Sequence, residues 1–239
     1  MTDTIRNTIA TFPFGFVFTP KDFPIDPRKQ ATVNRVLNLM VAAGQIRHLS
    51  KGRFYKPKIM EFGELPPDTF QIVKDLLEKN GKVIGYLTGY TAFNELGLTT
   101  QIPSALQIGV ANEKKAIQRN FYRISFIKQQ NVITKDNIPL LRFLDCLRFF
   151  KNIPDSMPNE TCRRLLLLLK ELDAKQREEI KELSLNYTPQ ATALLGAMLE
   201  TLNPNEDTST LLDVLNPQTF YKLSISDKIL FNQKKWNIK

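Results

Sequence analysis

Residues 44–57 read GQIRHLSKGRFYKP. Ile46 and Leu49 precede a turn signal at Ser50-Lys51-Gly52, and Phe54 and Tyr55 follow it, so two short β-prone runs flank a turn and predict a β-hairpin. The tip carries Lys51 and Arg53, and the return carries Lys56 and Lys58. Basic side chains placed this way suit contact with phosphates or entry into a minor groove. His48 is the sole histidine and reads as a strand residue, since one His builds neither a His-rich metal site nor a convincing general base.

Upstream, Asp26-Pro27 combines a cap with a first-turn proline and opens a helical pattern that ends near Gly44. Val33, Val36, Leu37, Met40 and Val41 fall on one side of that helix. At about 100° per residue the opposite side shows Arg28, Ala31, Arg35, Asn38 and Ala42, with Lys29 and Thr32 beside them. Arg reaches guanine O6/N7, Asn reaches adenine N6/N7, and small alanines let the backbone approach a major groove. An isolated helix of this kind reads as an ordinary solvated face; the basic hairpin directly after it favours groove recognition.

Further out, Ile5, Ile9 and Phe12 form one helical stripe within Thr4–Phe12, Gly15–Phe18 suits a small strand, and Thr19-Pro20 opens a brief helix through Phe23. Helix, strand, brief helix, longer helix and basic hairpin make up a winged helix-turn-helix, expected over residues 1–58. Its DNA-binding candidates are Arg28, Lys29, Thr32, Arg35, Asn38, Lys51, Arg53, Lys56 and Lys58. Charge agrees: residues 1–60 hold ten Lys or Arg against three Asp and no Glu, so +7 of the chain's +9 lies in this quarter. A local field of that size can hold a polyanion.

Residues 57–67, PKIMEFGELPP, read as a connection, with Pro66-Pro67 breaking regular structure. Beyond it, residues 68–239 are expected to form a second domain, mixed α/β at first and then largely helical, giving an α+β chain. Asp68 caps a helix to about Lys79 with Phe70, Val73, Leu76 and Leu77 inward, and Asn80-Gly81 ends it. A short extended piece at 82–85 and a helix over Thr88–Leu96 follow. Leu106–Val110 and Phe121–Ile127 read as strands joined by a polar turn at Asn112–Lys115. From Asn137 the pattern is helical, with a stripe of Leu140, Leu141, Leu144 and Leu147 and a Leu-rich helix over Cys162–Leu172. The charged stretch from Lys170 to Glu182 offers the i, i+4 pairs Glu171/Lys175 and Asp173/Arg177 and reads as a solvated surface. Thr188-Pro189 caps a further helix whose Gly196 suggests the close approach of a neighbouring helix. Thr219–Ile229 is β-prone, and Lys234-Lys235-Trp236 reads as an exposed basic tail.

Other classes find little support. No apolar run approaches the ~20 residues of a membrane span; the longest, Leu165–Leu169, lies between Arg164 and Lys170. The first residues lack the basic and uninterrupted apolar regions of a signal peptide. Cys146 and Cys162 are the only cysteines and read as reduced thiols, which suits the cytoplasm. There is no GxxxxGK[ST], HExxH or CxxC, so no cofactor, metal or enzyme activity is expected. Glu113-Lys114-Lys115 faintly suggests a nuclease arrangement, but no matching upstream carboxylate accompanies it.

Three phrases together resemble the AbiEi-type antitoxin family of abortive-infection, type IV toxin–antitoxin systems. GQIRHLSKGRFYKP is similar to that family's wing, GYLTGYTAFNELGLTTQIPS (residues 85–104) to its central segment, and YTPQATALLGAMLE (residues 187–200) to a late helix. Thr188 stands where the family pattern prefers a second proline, a difference that touches a helix cap. The resemblance implies a bacterial phage-defence antitoxin whose N-terminal domain represses its own operon by binding its double-stranded DNA operator. It implies a C-terminal domain that counteracts a cognate nucleotidyltransferase toxin, with or without direct contact. The chain would be a monomer in solution or a dimer on DNA, away from membranes. A ligand-sensing winged-helix transcription regulator outside such a system is the alternative.

Overall fold

A computed structural model of the chain describes residues 2–102 and 105–239. Pro103 and Ser104, the end of the Gly85–Ser104 phrase, lie outside the described residues. The protein is α+β and divides into two compact units. One comprises Met1–Leu76 with Ile117–Arg123, the other Leu77–Ala116 with Ile124–Lys239. This division differs from the expected domains 1–58 and 68–239 with a connection over 59–67, because residues 69–76 and the later segment 117–123 group with the N-terminal residues.

In the first unit, helix α1 (Thr2–Thr11) buries Ile5 and Ile9, as the i, i+4 stripe predicts. Strand β1 (Val17–Phe18) leads to a 3-10 turn at Pro20–Asp22, opened by a capping box. Thr19 Oγ1 accepts from the Lys21 amide at 3.3 Å, while the Thr19 amide donates to Asp22 Oδ2 at 2.5 Å. A second 3-10 turn, Pro27–Lys29, precedes α2 (Gln30–Ala42), so the helix expected from Pro27 starts tighter than an α-helix. Val33, Val36, Leu37 and Met40 point inward, and Gly44 at φ +74° closes the helix. Strands β2 (Arg47–Ser50) and β3 (Arg53–Tyr55) form the expected hairpin, and β1 pairs with β3, Phe18 opposite Phe54. Phe18, Leu37, Ile46 and Phe54 anchor one small core. This is a winged-helix arrangement.

Residues 58–65 depart from the expected irregular connection. Strands β4 (Lys58–Met60) and β5 (Gly63–Leu65) pair as a second hairpin, and only Pro66-Pro67 interrupt regular structure. Glu64 holds this hairpin, accepting from Arg47 Nε at 2.9 Å and from the Tyr55 hydroxyl at 2.8 Å. Burial, and then the bond to Glu64, pushes the Tyr55 hydroxyl up to about 12. Asp68 caps α3 (Thr69–Leu77) by accepting from the Gln71 amide at 2.8 Å. Ile72 and Val73 are buried there, whereas Phe70, expected inward, is exposed, because the inward stripe centres on Ile72 instead.

In the second unit, β6 (Glu78–Lys79) and β7 (Lys82–Val83) form a hairpin ahead of β8 (Tyr86–Thr88) and α4 (Tyr90–Glu95). Strand β9 (Ala105–Val110) pairs antiparallel with β8, and the strand order is β10-β11-β9-β8, in which β10 (Ile117–Arg119) and the first two residues of β11 (Tyr122–Lys128) are counted in the first unit. The helices α5 (Ile138–Arg148), α6 (Pro158–Lys170), α7 (Ala174–Ser184), α8 (Pro189–Leu202) and α9 (Ser209–Asp213) follow. Helix α8 is central, with Ala191 through Glu200 all buried.

The expected Glu171/Lys175 and Asp173/Arg177 pairs do not form among the described residues. Asp173 instead caps α7 through the Gln176 amide at 2.8 Å, and Arg177 Nε donates to the Leu172 carbonyl at 3.1 Å. Backbone groups left over at helix ends outcompete an exposed ion pair for these side chains. The expected strand at 219–229 is reduced to one bridge, Tyr221 with Ile238. Of the expected exposed tail, Lys234 and Lys235 are exposed, but Trp236 is 0% exposed, against Gly196 of α8, so a tryptophan rather than a helix explains that glycine. Both cysteines are buried thiols; burial pushes Cys162 up to about 12 and Cys146 higher. Among the described residues no helix is long and apolar enough to cross a membrane.

Candidate nucleic-acid interface

The outward face of α2 follows from its inward one. With Val33, Val36, Leu37 and Met40 committed to the core, Ala31, Thr32, Asn34, Arg35, Asn38, Leu39 and Ala42 are left exposed. Gln30 Nε2 donates to the Pro20 carbonyl at 3.1 Å and so fixes the start of the helix against the preceding turn. The first turn of α2 contains no acid, and its cap residue Lys29 makes no side-chain cap bond. Its leading amides and the positive end of its dipole therefore suit a phosphate. Leu39, 58% exposed, was not legible as part of this face; it follows Asn38 and could meet a thymine methyl.

The nine candidates divide. Thr32, Arg35 and Asn38 share the exposed face of α2, with Lys29 at its start. Arg28 lies in the 3-10 turn rather than on the helix, and pairs with Asp26 at 3.1 Å. That pairing is local and solvent-exposed; bonds from the Arg28 amide and then its guanidinium hold the Asp26 carboxyl below its ordinary value. The expectation that Arg28 would sit two turns before Arg35 on one helix is thereby corrected.

At the wing, Lys51 is exposed at a two-residue tip whose Gly52, at φ +70°, takes the left-handed conformation the turn needs. Arg53 does not face outward freely. Its Nη2 donates to Asp75 Oδ2 at 2.6 Å, and the same carboxylate accepts two bonds from Arg119, at 2.6 and 2.8 Å. Arg119 is buried and also donates to the Ile72 carbonyl at 2.6 Å. Burial alone would raise the Asp75 carboxyl; the two guanidinium groups outweigh it and hold it below its ordinary value. Lys56 is likewise engaged, donating to the carbonyls of Ala10 at 2.8 Å and Phe12 at 3.1 Å, where it closes the end of α1. Lys58 is exposed on β4. Arg53 and Lys56 are thus structural contacts here, while Lys29, Thr32, Arg35, Asn38, Lys51 and Lys58 stay exposed. Neither Asp75 nor Arg119 was legible as part of the wing, being 22 and 66 residues from Arg53 in sequence.

The second unit holds a buried polar network. Asp145 Oδ2 accepts from the Tyr86 hydroxyl at 2.8 Å and from Thr88 Oγ1 at 2.6 Å. Gln129 Nε2 donates to the hydroxyls of Tyr86 at 2.9 Å and Tyr187 at 2.7 Å. Burial pushes the Asp145 carboxyl above its ordinary value, although the Thr88 and Tyr86 bonds pull it back. Asp145 is 0% exposed, so this carboxyl is enclosed by the fold. No cluster of three His, Cys, Asp or Glu able to hold a metal occurs among the described residues.

Fold and site together define an α+β protein that carries a winged-helix unit with an exposed Arg- and Asn-bearing helix. The chain belongs to a family of unknown function, DUF6088, whose model matches residues 4–182. No curated protein matches it. Among solved structures, it is similar to the RV2827C protein from Mycobacterium tuberculosis at 11% identity and a TM-score of 0.58. That likeness covers 93% of this chain and 84% of the other, and it shows the fold alone.

Proposed function

We propose that the protein is a DNA-binding transcriptional autorepressor and an antitoxin of the AbiEi type, acting in the cytoplasm. The observation that carries the DNA-binding part is the exposed face of Thr32, Arg35 and Asn38 on a helix directly followed by a wing tipped by Lys51. Arg35 and Asn38 would read base edges, while Lys29, Lys51 and the amides of the first turn of α2 would hold phosphates. The antitoxin part is supported by the three sequence phrases, two of which lie in the second unit, and its partner would be a co-encoded nucleotidyltransferase toxin. No residue is assigned to neutralisation, and the protein would need no catalysis or cofactor of its own.

The test joins a reporter on the protein's own promoter to co-expression with the adjoining gene. Repression together with rescue of growth is expected. A neighbour that is harmless, or whose harm this chain does not relieve, overturns the antitoxin reading; an unrepressed promoter overturns the regulatory one.

One observation favours the second reading, a ligand-sensing regulator. The second unit contains a cavity of about 470 Å³ walled by Val83, Ile84, Val110 and Val132, a volume within the range of small-molecule sites.

A further inference from the structure

A second positively charged surface lies wholly within the second unit. Two cavities, of about 330 and 410 Å³, share the lining residues Glu113, Lys128 and Arg148 and so adjoin as one groove. Lys114 joins them in the larger cavity, and Tyr187 walls the smaller one. Arg148 and the two lysines make no ion pair among the described residues, and Glu113 is the only acid lining either cavity.

The cations are interleaved with aromatic rings. The Arg148 guanidinium carbon stands 5.2 Å from the Phe149 ring centroid, and Lys114 Nζ stands 5.5 Å from that of Phe126. Arg148 Nη1 donates to the Lys128 carbonyl at 3.3 Å, which fixes the guanidinium and leaves most of its five N–H groups for a ligand. A guanidinium held beside an aromatic ring is a platform on which an unpaired base stacks. The Gln130 amide, exposed in the smaller cavity, offers donors and an acceptor to base edges, and the Asn186 side chain, whose Nδ2 donates to Asn131 Oδ1 at 2.7 Å, keeps its carbonyl oxygen and one N–H for them. An acidic peptide would use the cations but not these rings and amides; a duplex would meet the cations but keep its bases stacked away.

We propose that this groove binds a single-stranded polynucleotide, with Lys114, Lys128 and Arg148 on phosphates and the Phe149 and Tyr187 rims against bases. The inference is independent of duplex recognition by the winged-helix unit.

The test uses the full chain and labelled 12-nucleotide single strands of mixed sequence, RNA in one arm and DNA in the other, titrated by anisotropy across a salt series. Three phosphate contacts at about 0.7 each predict a log–log salt slope near −2, and Lys128→Ala/Arg148→Ala should cut affinity at least tenfold and leave a slope of about −0.7. If that variant fails to fold by circular dichroism, Lys114→Glu/Lys128→Glu, at two exposed positions, carries the same expectation of a tenfold loss. Arg35→Ala/Lys51→Ala in the winged-helix unit should bind the strand as the unaltered chain does. The proposal is overturned if neither strand binds at low salt, or if the groove variants bind normally. It is equally overturned if the winged-helix variant loses the strand, if polyglutamate of equal charge competes as well as the strand does, or if free mononucleotide displaces it at equal nucleotide concentration.

Discussion

The Trp236 ring occupies the space in which a side chain at residue 196 would stand: a Cβ on Gly196 would lie 2.0–2.5 Å from three of its ring carbons. The indole Nε1–H donates to Glu200 Oε2 at 3.1 Å, and Lys235 Nζ donates to Glu200 Oε1 at 2.5 Å. The C-terminal segment is therefore part of the helical core. Gly196→Ala must displace the ring and should cost about 1–3 kcal/mol, and Trp236→Ala, which empties a fully buried site, about 3–5 kcal/mol. Urea unfolding followed by circular dichroism checks both. A Gly196→Ala protein as stable as the parent would contradict this packing.

A second prediction concerns the wing's anchor. Asp75→Asn leaves the buried Arg119 guanidinium without its counter-charge and loosens Arg53. Because the Asp75 side chain is 40% exposed, the cost is discounted to about 1–2 kcal/mol. The sign of its pH dependence is fixed by the lowered folded-state value. An unfolded Asp takes up its proton near pH ~4, before the folded one does, so the contribution is full above that value. It is lost as pH falls through the lowered folded value. Amide exchange of peptides covering residues 47–55 should show parent and variant differing at pH 7 and converging in acid.

How much of this was legible depended on range. Caps and stripes are local, so Thr19-Pro20, Asp68, Thr188-Pro189 and the alternation around Lys51-Gly52 gave their elements close to their observed bounds. The polar part of the outward face of α2 followed from its inward one by periodicity, whereas the exposed Leu39 did not, because its apolar type suggests the core. Partnerships were not legible, because nothing near Arg53 in the chain indicates Asp75, and nothing near Lys56 indicates the carbonyls at the end of α1. Trp236 was misread because its neighbours Lys234 and Lys235 suggest solvent, whereas the fold supplies Glu200 for one lysine and the Gly196 notch for the indole. The groove at Lys114, Lys128 and Arg148 collects residues from three separated segments, and no spacing rule joins them.

The enclosed Asp145 carboxyl gives the opposite pH dependence to Asp75. Its folded-state value is raised, so above about pH 4 the unfolded chain releases a proton that the folded chain keeps. Its contribution should therefore weaken as pH rises from there, until the folded carboxyl ionises. Asp145→Asn keeps the shape and removes the titration. Denaturant midpoints measured from pH 4 to 8 should fall more steeply for the parent than for the variant. Parallel curves would show that the carboxyl is not held neutral.

Lys51 and Arg53, adjacent to the same turn, should behave differently on DNA. Lys51→Ala should weaken every duplex and reduce the salt slope by about 0.9, the loss of one phosphate contact. Arg53→Ala should loosen the hairpin but leave that slope unchanged. Electrophoretic mobility shifts from 50 to 200 mM salt separate the two. A flattened slope for Arg53→Ala would mean that Arg53 leaves Asp75 to meet the duplex.

The most direct measurement compares Arg35→Ala with the unaltered chain on two duplexes of equal length, the protein's own promoter and a scrambled copy, by fluorescence anisotropy at one fixed salt concentration. A base-reading Arg35 predicts a loss of about 1–3 kcal/mol on the promoter and almost none on the scrambled duplex. Equal losses on both, or no loss on either, would contradict the assignment of the α2 face as the surface that reads the operator.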